Sequence, residues 1–187
     1  MNERGYLNII SGPSGAGKST LIKRFLEENI NFTFPTSMTT RKPRPGEING
    51  DHYFFIDKKE FEVRKEKGEF LEWANVYGMY YGTLKSTILN GLNEGKCFIK
   101  DIDVQGAKSL MNLLDKKSYQ SIFIAPPSID ELKQRLIDRG SEDQKYLNDR
   151  ISSAQKELDQ TNLFDHVIKN DKLEETYQKF ELALLKK

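Results

Sequence analysis

The chain is 187 residues long and has a formal net charge of +1, from 29 Lys and Arg against 28 Asp and Glu residues. That length predicts one domain with insertions and excludes two large independent domains. The near-neutral charge gives no reason to expect a nucleic-acid coat protein or an acidic tail. With 37% hydrophobic and 11% aromatic residues, the chain has enough apolar side chains to fill a core.

The cysteine and histidine counts narrow the class further. Cys97 is the single cysteine and cannot form an internal disulfide, and His52 and His166 leave no zinc-type cluster of spaced ligands. The N-terminal apolar-leaning run, 7–11, is shorter than the core of a signal peptide, and no stretch approaches the ~18 apolar residues of a membrane span. We therefore expect a cytoplasmic protein without nucleic-acid or membrane partners, either a monomer or a homo-oligomer.

Short apolar runs alternate with helical periodicity along most of the chain, beginning with a strand over 7–11 and a helix over 18–28. Ser128, with Glu131 three residues later, forms a capping box at the start of a later helix. The remaining predicted elements are a helix over 84–93, a strand over 97–103, a helix over 104–114, a strand over 120–125, helices over 128–139 and 143–158, a strand over 166–169 and a helix from residue 172. This alternation predicts an α/β fold, with a parallel sheet covered by helices on both faces.

Residues 32–83 interrupt that alternation. They include Pro35, Pro43 and Pro45 and several aromatic residues, and they contain one helix-like pattern, over 58–67. This composition indicates a β-rich insertion in the α/β core.

A glycine-rich segment lies between the first predicted strand and helix. Its sequence, GPSGAGKS from Gly12, matches G-x-x-x-x-G-K-[ST] in the required context. Small residues let backbone N–H groups close around a phosphate, and the helix that starts near Lys18 points its positive end at it. A flexible glycine turn is the alternative. The motif predicts a P-loop NTPase core in which Lys18 reaches the β and γ phosphates of ATP and Ser19 holds Mg²⁺. The expected ATP-binding residues here are Gly12, Ser14, Gly15, Ala16, Gly17, Lys18, Ser19 and Thr20.

Further segments resemble the guanylate kinase family, in chain order. They are SMTTRKPRPGE from Ser37, GDHY from Gly50, GEFLEWA from Gly68, YYGT from Tyr80, DIDVQG from Asp101 and ND at Asn170. With the phosphate loop, the resemblance covers nearly the whole chain. It implies a single domain made of a core (1–31, 84–125 and 160–187), a GMP-binding insertion (32–83) and a helical lid (about 126–159).

The resemblance implies ATP-dependent phosphorylation of GMP, and of dGMP, to the diphosphate in purine nucleotide metabolism, by in-line transfer of the γ-phosphoryl group with Mg²⁺. No general base is needed, since a phosphate monoester with a second pKa of about 6 is mostly dianionic at pH 7. Two alternatives remain open: a non-catalytic protein-binding module of the same fold, and a kinase with another acceptor, such as AMP or a non-nucleotide. The intact Gly-Lys-Ser of the phosphate loop favours the kinase.

By resemblance, one group of residues grips the GMP phosphate and another reads or frames guanine. The residues implied for the phosphate are Arg41, Arg44, Tyr53 and Tyr81, and those implied for the guanine are Ser37, Glu72, Thr83 and Asp103. Gly82 and Asp101 are further expected GMP-binding residues. Guanidinium forks and phenol O–H groups are donors suited to a phosphate dianion. The Glu72 carboxylate suits the adjacent N1–H and 2-amino donors of guanine, whereas adenine presents a bare N1 acceptor. Ser37 and Thr83 bond the base directly or through water.

Asp101 and Asp103 are two apart on the strand predicted over 97–103, so both are expected to face the nucleotide site. The resemblance implies that Asp101 supports Mg²⁺ or Arg41 and that Asp103 lies nearer the guanine. Lys100 departs from the family pattern, in which an apolar residue is usual, and a central parallel strand should be apolar. The burial of that face of the strand is therefore in question.

The segments around Arg139 and Arg150 are similar to the helical lid of the family, where two arginines close over the transferring phosphoryl group. Positive charge that arrives with a lid suits transition-state stabilisation; ordinary exposed helix arginines are the alternative. The expected catalytic set is Lys18, Arg44, Arg139 and Arg150, and the adenine-side residues are Arg135, Asn170 and Asp171.

Overall fold

The computed structural model describes residues 5–76, 78–138 and 144–185. The strands and helices within these ranges are β1 (Tyr6–Ser11), α1 (Lys18–Glu28), β2 (Phe32–Thr33), β3 (Ser37–Thr39), β4 (Tyr53–Phe55), α2 (Lys58–Glu66), β5 (Phe70–Val76), β6 (Met79–Leu84), α3 (Lys85–Asn93), β7 (Cys97–Asp101), α4 (Val104–Leu113), β8 (Tyr119–Ala125), α5 (Ile129–Asp138), α6 (Gln144–Leu158), β9 (His166–Lys169) and α7 (Leu173–Leu185). Among them, no helix combines the length and the apolar character that a bilayer span requires.

The larger sheet has five strands in the order β2-β7-β1-β8-β9, all parallel to their neighbours. Successive strand residues point to opposite faces, so β7 places Phe98 in an apolar cluster with α3 and α4, and Ile99 in a second cluster with α1 and α7. The predicted α/β fold with helices on both faces of a parallel sheet is confirmed. The phosphate loop follows β1, the central strand, and so lies at the carboxyl edge of this sheet.

The smaller sheet has the order β4-β3-β6-β5, with β3 and β4 parallel and the other pairs antiparallel. Its apolar support is Phe61 of α2, which is fully buried and stacks on Phe70 and Tyr80 with ring centroids 4.3 and 5.0 Å apart. Burial of such a ring stabilises the fold by about 1.5–3 kcal/mol. Leu71 of β5 packs in the same cluster as α3 and α4, which joins the small sheet to the large one.

Two details of the predicted strands are wrong. The strand predicted over 97–103 ends at Asp101, because Asp103 adopts an extended backbone and caps α4: its Oδ1 accepts a hydrogen bond from the Gly106 N–H at 2.7 Å. Asp101 and Asp103 therefore do not share a strand. In addition, Phe32 and Thr33, which the composition shift placed in the insertion, pair with Cys97 and Phe98 in the large sheet.

The helices α5 and α6 pack on each other through Leu132, Leu136, Leu147 and Ala154. The predicted cap of α5 is present, since Ser128 Oγ accepts from the Glu131 N–H at 3.1 Å. The same helix covers the phosphate loop: a Cβ placed on Gly15 would lie 3.0 Å from Leu132 Cδ1. The α5–α6 pair is thus positioned over the loop.

Candidate active site

The phosphate loop is shaped by glycines at positions where any other residue would be strained. Gly17 has φ 93° and precedes α1 directly, and a Cβ there would lie 2.2 Å from Asn170 Nδ2. Gly12 has φ 133°, and its Cβ would lie 2.2 Å from the Ile124 carbonyl oxygen. The loop can therefore close tightly between β1, β8 and Asn170, with the N-terminus of α1 at its end.

Lys18 curls back over this loop. Its Nζ donates to the Gly12 carbonyl at 2.5 Å and to the Pro13 carbonyl at 3.2 Å, and lies 3.9 Å from Asp101 Oδ1. The loop borders a cavity of about 450 Å³, to which Lys18, Ser19 and Glu157 also contribute. We call this the phosphate cavity. Ser14, Ser19 and Thr20 are exposed, whereas Ala16 is buried.

Asp101 lies between this cavity and a second one. It lines the phosphate cavity and also a neighbouring cavity of about 290 Å³ that contains Ser37, Tyr53 and Lys100, which we call the acceptor cavity. Partial removal from water raises the pKa of the Asp101 carboxyl, while Lys18 and Lys100 oppose that shift. One carboxylate is thus in reach of cations from both cavities.

Arg41 is fixed by a carboxylate across a turn. Its guanidinium donates to both oxygens of Glu47 at 2.8 Å, and Glu47 Oε2 also accepts from the Arg44 backbone N–H at 2.7 Å. The hydrogen bonds from Arg41, followed by that from Arg44, lower the pKa of Glu47 to about 2. The same pairing raises the pKa of Arg41, to which Tyr81 also contributes. Glu47 therefore organises the turn that carries both arginines.

Two tyrosines complete this part of the site. The rings of Tyr53 and Tyr81 meet edge to face with centroids 6.0 Å apart, and the Arg41 guanidinium lies 5.6 Å from the Tyr53 ring centroid. Arg44, three residues after Arg41, is exposed to solvent. The structure thus brings Arg41, Tyr53 and Tyr81 together, as the resemblance implied for a phosphate-binding group.

A buried polar network lies where the guanine-reading residues were predicted. Lys100 Nζ is 2.9 Å from Glu72 Oε1 and donates to Thr83 Oγ1 at 2.7 Å. The Ser37 and Thr83 hydroxyls are 2.7 Å apart, and Thr83 is 0% exposed. Gly82 allows β6 to approach β5, since a Cβ there would lie 2.8 Å from the Phe70 ring. Residues from β3, β5, β6 and β7 therefore meet at one point.

Lys100 and Asp103 differ from their expected places. Lys100 does not disrupt β7, because near the end of the strand, beyond the apolar layer around Phe98, its side chain meets Glu72 and Thr83. Asp103 caps α4 instead of extending the strand, yet it lines the phosphate cavity together with Asp101. The division of roles between the two aspartates stays a prediction.

The adenine-side residues meet beside the phosphate loop. Arg135 Nη2 donates to the Asn170 carbonyl at 3.1 Å, and Asn170 Nδ2 donates to the Ala16 carbonyl at 2.7 Å. Asp171 follows and is exposed. Of the two lid arginines, Arg150 lies on an exposed part of α6, and Arg139 lies outside the described residues.

Two carboxylates at the site were missed by sequence reasoning. Glu47 ends the SMTTRKPRPGE segment, and its position across the turn from Arg41 is the only signal that could have marked it. Glu157 is half-buried and reaches the phosphate cavity from α6. Burial raises its pKa, Lys18 opposes that shift and Asp103 adds to it. No local pattern in the sequence marks Glu157.

Comparison with known proteins points to a single family. The sequence matches the guanylate kinase family model over residues 4–187. A guanylate kinase of Clostridium perfringens is 46% identical over 184 residues, covering 98% of this chain and 84% of that protein. One of Thermotoga maritima is 44% identical over 178 residues, covering 94% and 84%. The crystal structure of guanylate kinase from Anaplasma phagocytophilum has a TM-score of 0.69 at 31% identity, covering 97% of this chain and 85% of that one.

Proposed function

Since the chain belongs to the guanylate kinase family and so phosphorylates GMP with ATP, we propose that it also accepts dGMP, uses Mg²⁺ and transfers the γ-phosphoryl group by in-line displacement. The observation that carries this proposal is the position of Asp101, which lines both the phosphate cavity and the acceptor cavity. One cavity is bordered by the phosphate loop, and the adjoining one is lined by polar side chains that can bind a guanine nucleotide. Two adjoining cavities of this kind suit direct transfer between two nucleotides.

On the ATP side, the protein positions the phosphates and supplies positive charge to them. The phosphate loop offers backbone N–H groups and the N-terminus of α1, and Lys18 exchanges its bonds to the Gly12 and Pro13 carbonyls for the β and γ phosphates. Because the GMP phosphate arrives mostly as a dianion, no side chain has to remove a proton. Catalysis then consists of alignment and charge neutralisation, in which Lys18 and the arginines act.

On the acceptor side, the phosphate group is bound by Arg41, Tyr53 and Tyr81, with Arg44 directed to the same dianion. Arg41 is already held by Glu47, so little side-chain freedom is lost when GMP binds. Glu72 accepts from the guanine N1–H and 2-amino groups, and Ser37 and Thr83 frame the base. Adenine lacks the N1–H donor, so Glu72 would accept no hydrogen bond from that position of AMP. The site therefore favours GMP.

The residues present fit a magnesium ion. The Ser19 hydroxyl and the Asp101 carboxylate both face the phosphate cavity, and Mg²⁺ prefers one or two protein oxygen ligands together with substrate phosphates and waters. Ser19 would hold it directly, with Asp101 supporting it through water. When bound, the ion neutralises charge on the β and γ phosphates.

The remaining parts of the proposal concern motion and setting. We assign residues 34–83 to a GMP-binding insertion, since Phe32 and Thr33 belong to the large sheet, and about 126–159 to a lid. Both close over the core and exclude water. In the closed state Arg44, Arg139 and Arg150 surround the transferred group. The proposed setting is purine nucleotide metabolism in the cytoplasm, where ATP and GMP are both available.

A coupled assay of ADP release tests the function, with GMP, dGMP, AMP, CMP and UMP as acceptors and with Mg²⁺ present or chelated. We expect turnover with GMP and dGMP, little with the others, and loss of turnover when Mg²⁺ is removed. Turnover with none of the five would indicate a binding module. A preference for AMP would overturn the assignment of Glu72.

A further inference from the structure

A lysine, Lys100, contacts two of the residues that are predicted to bind guanine, Glu72 and Thr83. The Lys100 side chain is 12% exposed and the Glu72 side chain 24% exposed, so this ion pair is largely removed from water. An ammonium in such a place is costly unless it is paired and hydrogen-bonded. Here Glu72 and Thr83 supply both compensations, at 2.9 and 2.7 Å.

The lysine ammonium keeps a donor for a ligand. An ammonium has three N–H donors, and the contacts to Glu72 and Thr83 account for two of them. Lys100 also lines the acceptor cavity beside Ser37 and Tyr53. The third donor is thus available to a group that enters this cavity.

The edge of guanine matches this arrangement of charges. Guanine presents the O6 acceptor next to the N1–H donor, and the 2-amino donors follow. A carboxylate that accepts from N1–H and the 2-amino group lies beside O6, and so does a cation bonded to that carboxylate. Adenine presents a 6-amino donor in place of O6, and that donor would face the ammonium.

We propose that Lys100 is a specificity-determining residue, which donates a hydrogen bond to O6 of the acceptor guanine while it holds Glu72 for the N1–H and 2-amino groups. The proposal rests on the proposed function, since it takes GMP as the acceptor. Glu72 has enough lone pairs to bond both the lysine and the base. Lys100 and Glu72 together then read all three groups on one edge of guanine.

The test compares the Lys100→Met variant with the wild type on two acceptors, GMP and 6-thio-GMP. The sulfur analogue keeps N1–H and the 2-amino group and replaces only O6 by a weaker acceptor. We expect the wild type to prefer GMP in kcat/KM by about 10-fold. The variant should lose about 10- to 100-fold in kcat/KM for GMP, the range for a hydrogen bond to a charged group. Its preference for GMP over the analogue should largely vanish.

The exposed Lys96→Met variant is the matched control, because Lys96 precedes the same strand and pairs with Glu94 away from both cavities. It should behave as the wild type. Melting curves identify a variant that fails to fold. If Lys100→Met does not fold, Lys100→Gln, which keeps an N–H donor, replaces it, and the measured quantity is its ratio of kcat/KM for GMP to that for 6-thio-GMP. We expect this ratio to lie below that of the wild type.

The proposal is overturned if the ratio of kcat/KM for GMP and 6-thio-GMP keeps its wild-type value in Lys100→Met or in Lys100→Gln. In Lys100→Met, an equal loss on both acceptors would mean that the lysine acts only through Glu72, and no loss on either would mean that it has no part in recognition. If the wild type itself does not phosphorylate GMP, the proposed function fails first, and that outcome is visible in the same assay.

Discussion

The two cavities of this protein are built by different means. The phosphate cavity is built around one continuous loop, whose backbone is held by positive-φ glycines and by contacts with β8, α5 and Asn170. Asp101, Asp103 and Glu157 complete its lining.

The acceptor cavity is lined by side chains from separate segments, among them Ser37, Tyr53 and Lys100. Side chains around it fix one another in pairs: Glu47 holds Arg41, and Lys100 donates to Thr83. Donor binding therefore depends mainly on one loop, whereas single substitutions on the acceptor side should alter separate parts of recognition.

The largest loss of activity should follow substitution of Lys18, which lines the phosphate cavity. Lys18→Met should lower kcat by about 1000-fold, because the cation that follows the transferring charge is lost. GMP affinity, measured by calorimetry, should stay near the wild-type value, since Lys18 contacts the loop and Asp101 rather than the guanine network. Lys23→Met is the control on the same helix, where the side chain is 80% exposed. A parallel loss of GMP affinity in Lys18→Met would contradict the claim that the phosphate loop and the guanine-binding residues act separately.

The next effect concerns the choice of base. Glu72→Gln should narrow the ratio of kcat/KM for GMP to that for AMP by about 100-fold, because the amide offers a donor where guanine also has donors. The coupled assay with both acceptors measures this ratio. Glu94→Gln, an exposed carboxylate paired with Lys96, serves as the control. An unchanged ratio would remove Glu72 from the guanine site.

A smaller effect should follow release of the acceptor turn. Glu47→Gln should raise KM for GMP by about 10-fold with little change in kcat, since Arg41 and the Arg44 backbone lose their shared partner. Glu62→Gln, on the exposed side of α2, should leave KM unchanged. An effect on kcat alone would place Glu47 in the transfer step instead.

The same pair predicts a pH dependence of stability. The pKa of the Glu47 carboxyl is about 2 in the folded protein, below its usual value of 4.5. The interaction with Arg41 therefore stabilises the fold above pH 4.5, and this stabilisation is lost as the pH falls from 4.5 towards 2. Denaturant titrations over this range should show a shallower decline for Glu47→Gln than for the wild type. Identical slopes would show that the pair does not contribute.

The smallest effect belongs to the adenine side. Arg135→Ala should raise KM for ATP by about 5-fold and leave KM for GMP unchanged, because it removes one hydrogen bond to the segment whose Asn170 holds the phosphate loop. Lys133→Ala, exposed on the same helix, is the control. A rise in KM for GMP of similar size would contradict the assignment.

The contrast between the cavities also explains what the sequence could predict. The phosphate loop occupies consecutive positions, and its strand and helix context is local, so β1, the loop and α1 were all predicted. The spacing of two between Asp101 and Asp103 was misleading, because the strand ends at Asp101 and the Asp103 side chain caps the helix that was predicted to begin at residue 104.

Long-range pairs were harder to predict. Lys100 looked like a flaw in an apolar strand, since its partners Glu72 and Thr83 lie on a different sheet. Glu157 enters the phosphate cavity from α6, far along the chain. Such contacts depend on the packing of the small sheet and of α6 on the core, which no local propensity describes.

The most direct test of the account is equilibrium binding without ATP, since it isolates acceptor selection from phosphoryl transfer. Calorimetric titration of the wild type with GMP and with AMP should show GMP binding at least about 100-fold more tightly, because the Glu72 carboxylate and the Lys100 ammonium are already in place. Equal affinities for the two nucleotides would contradict the claim that these side chains select the base.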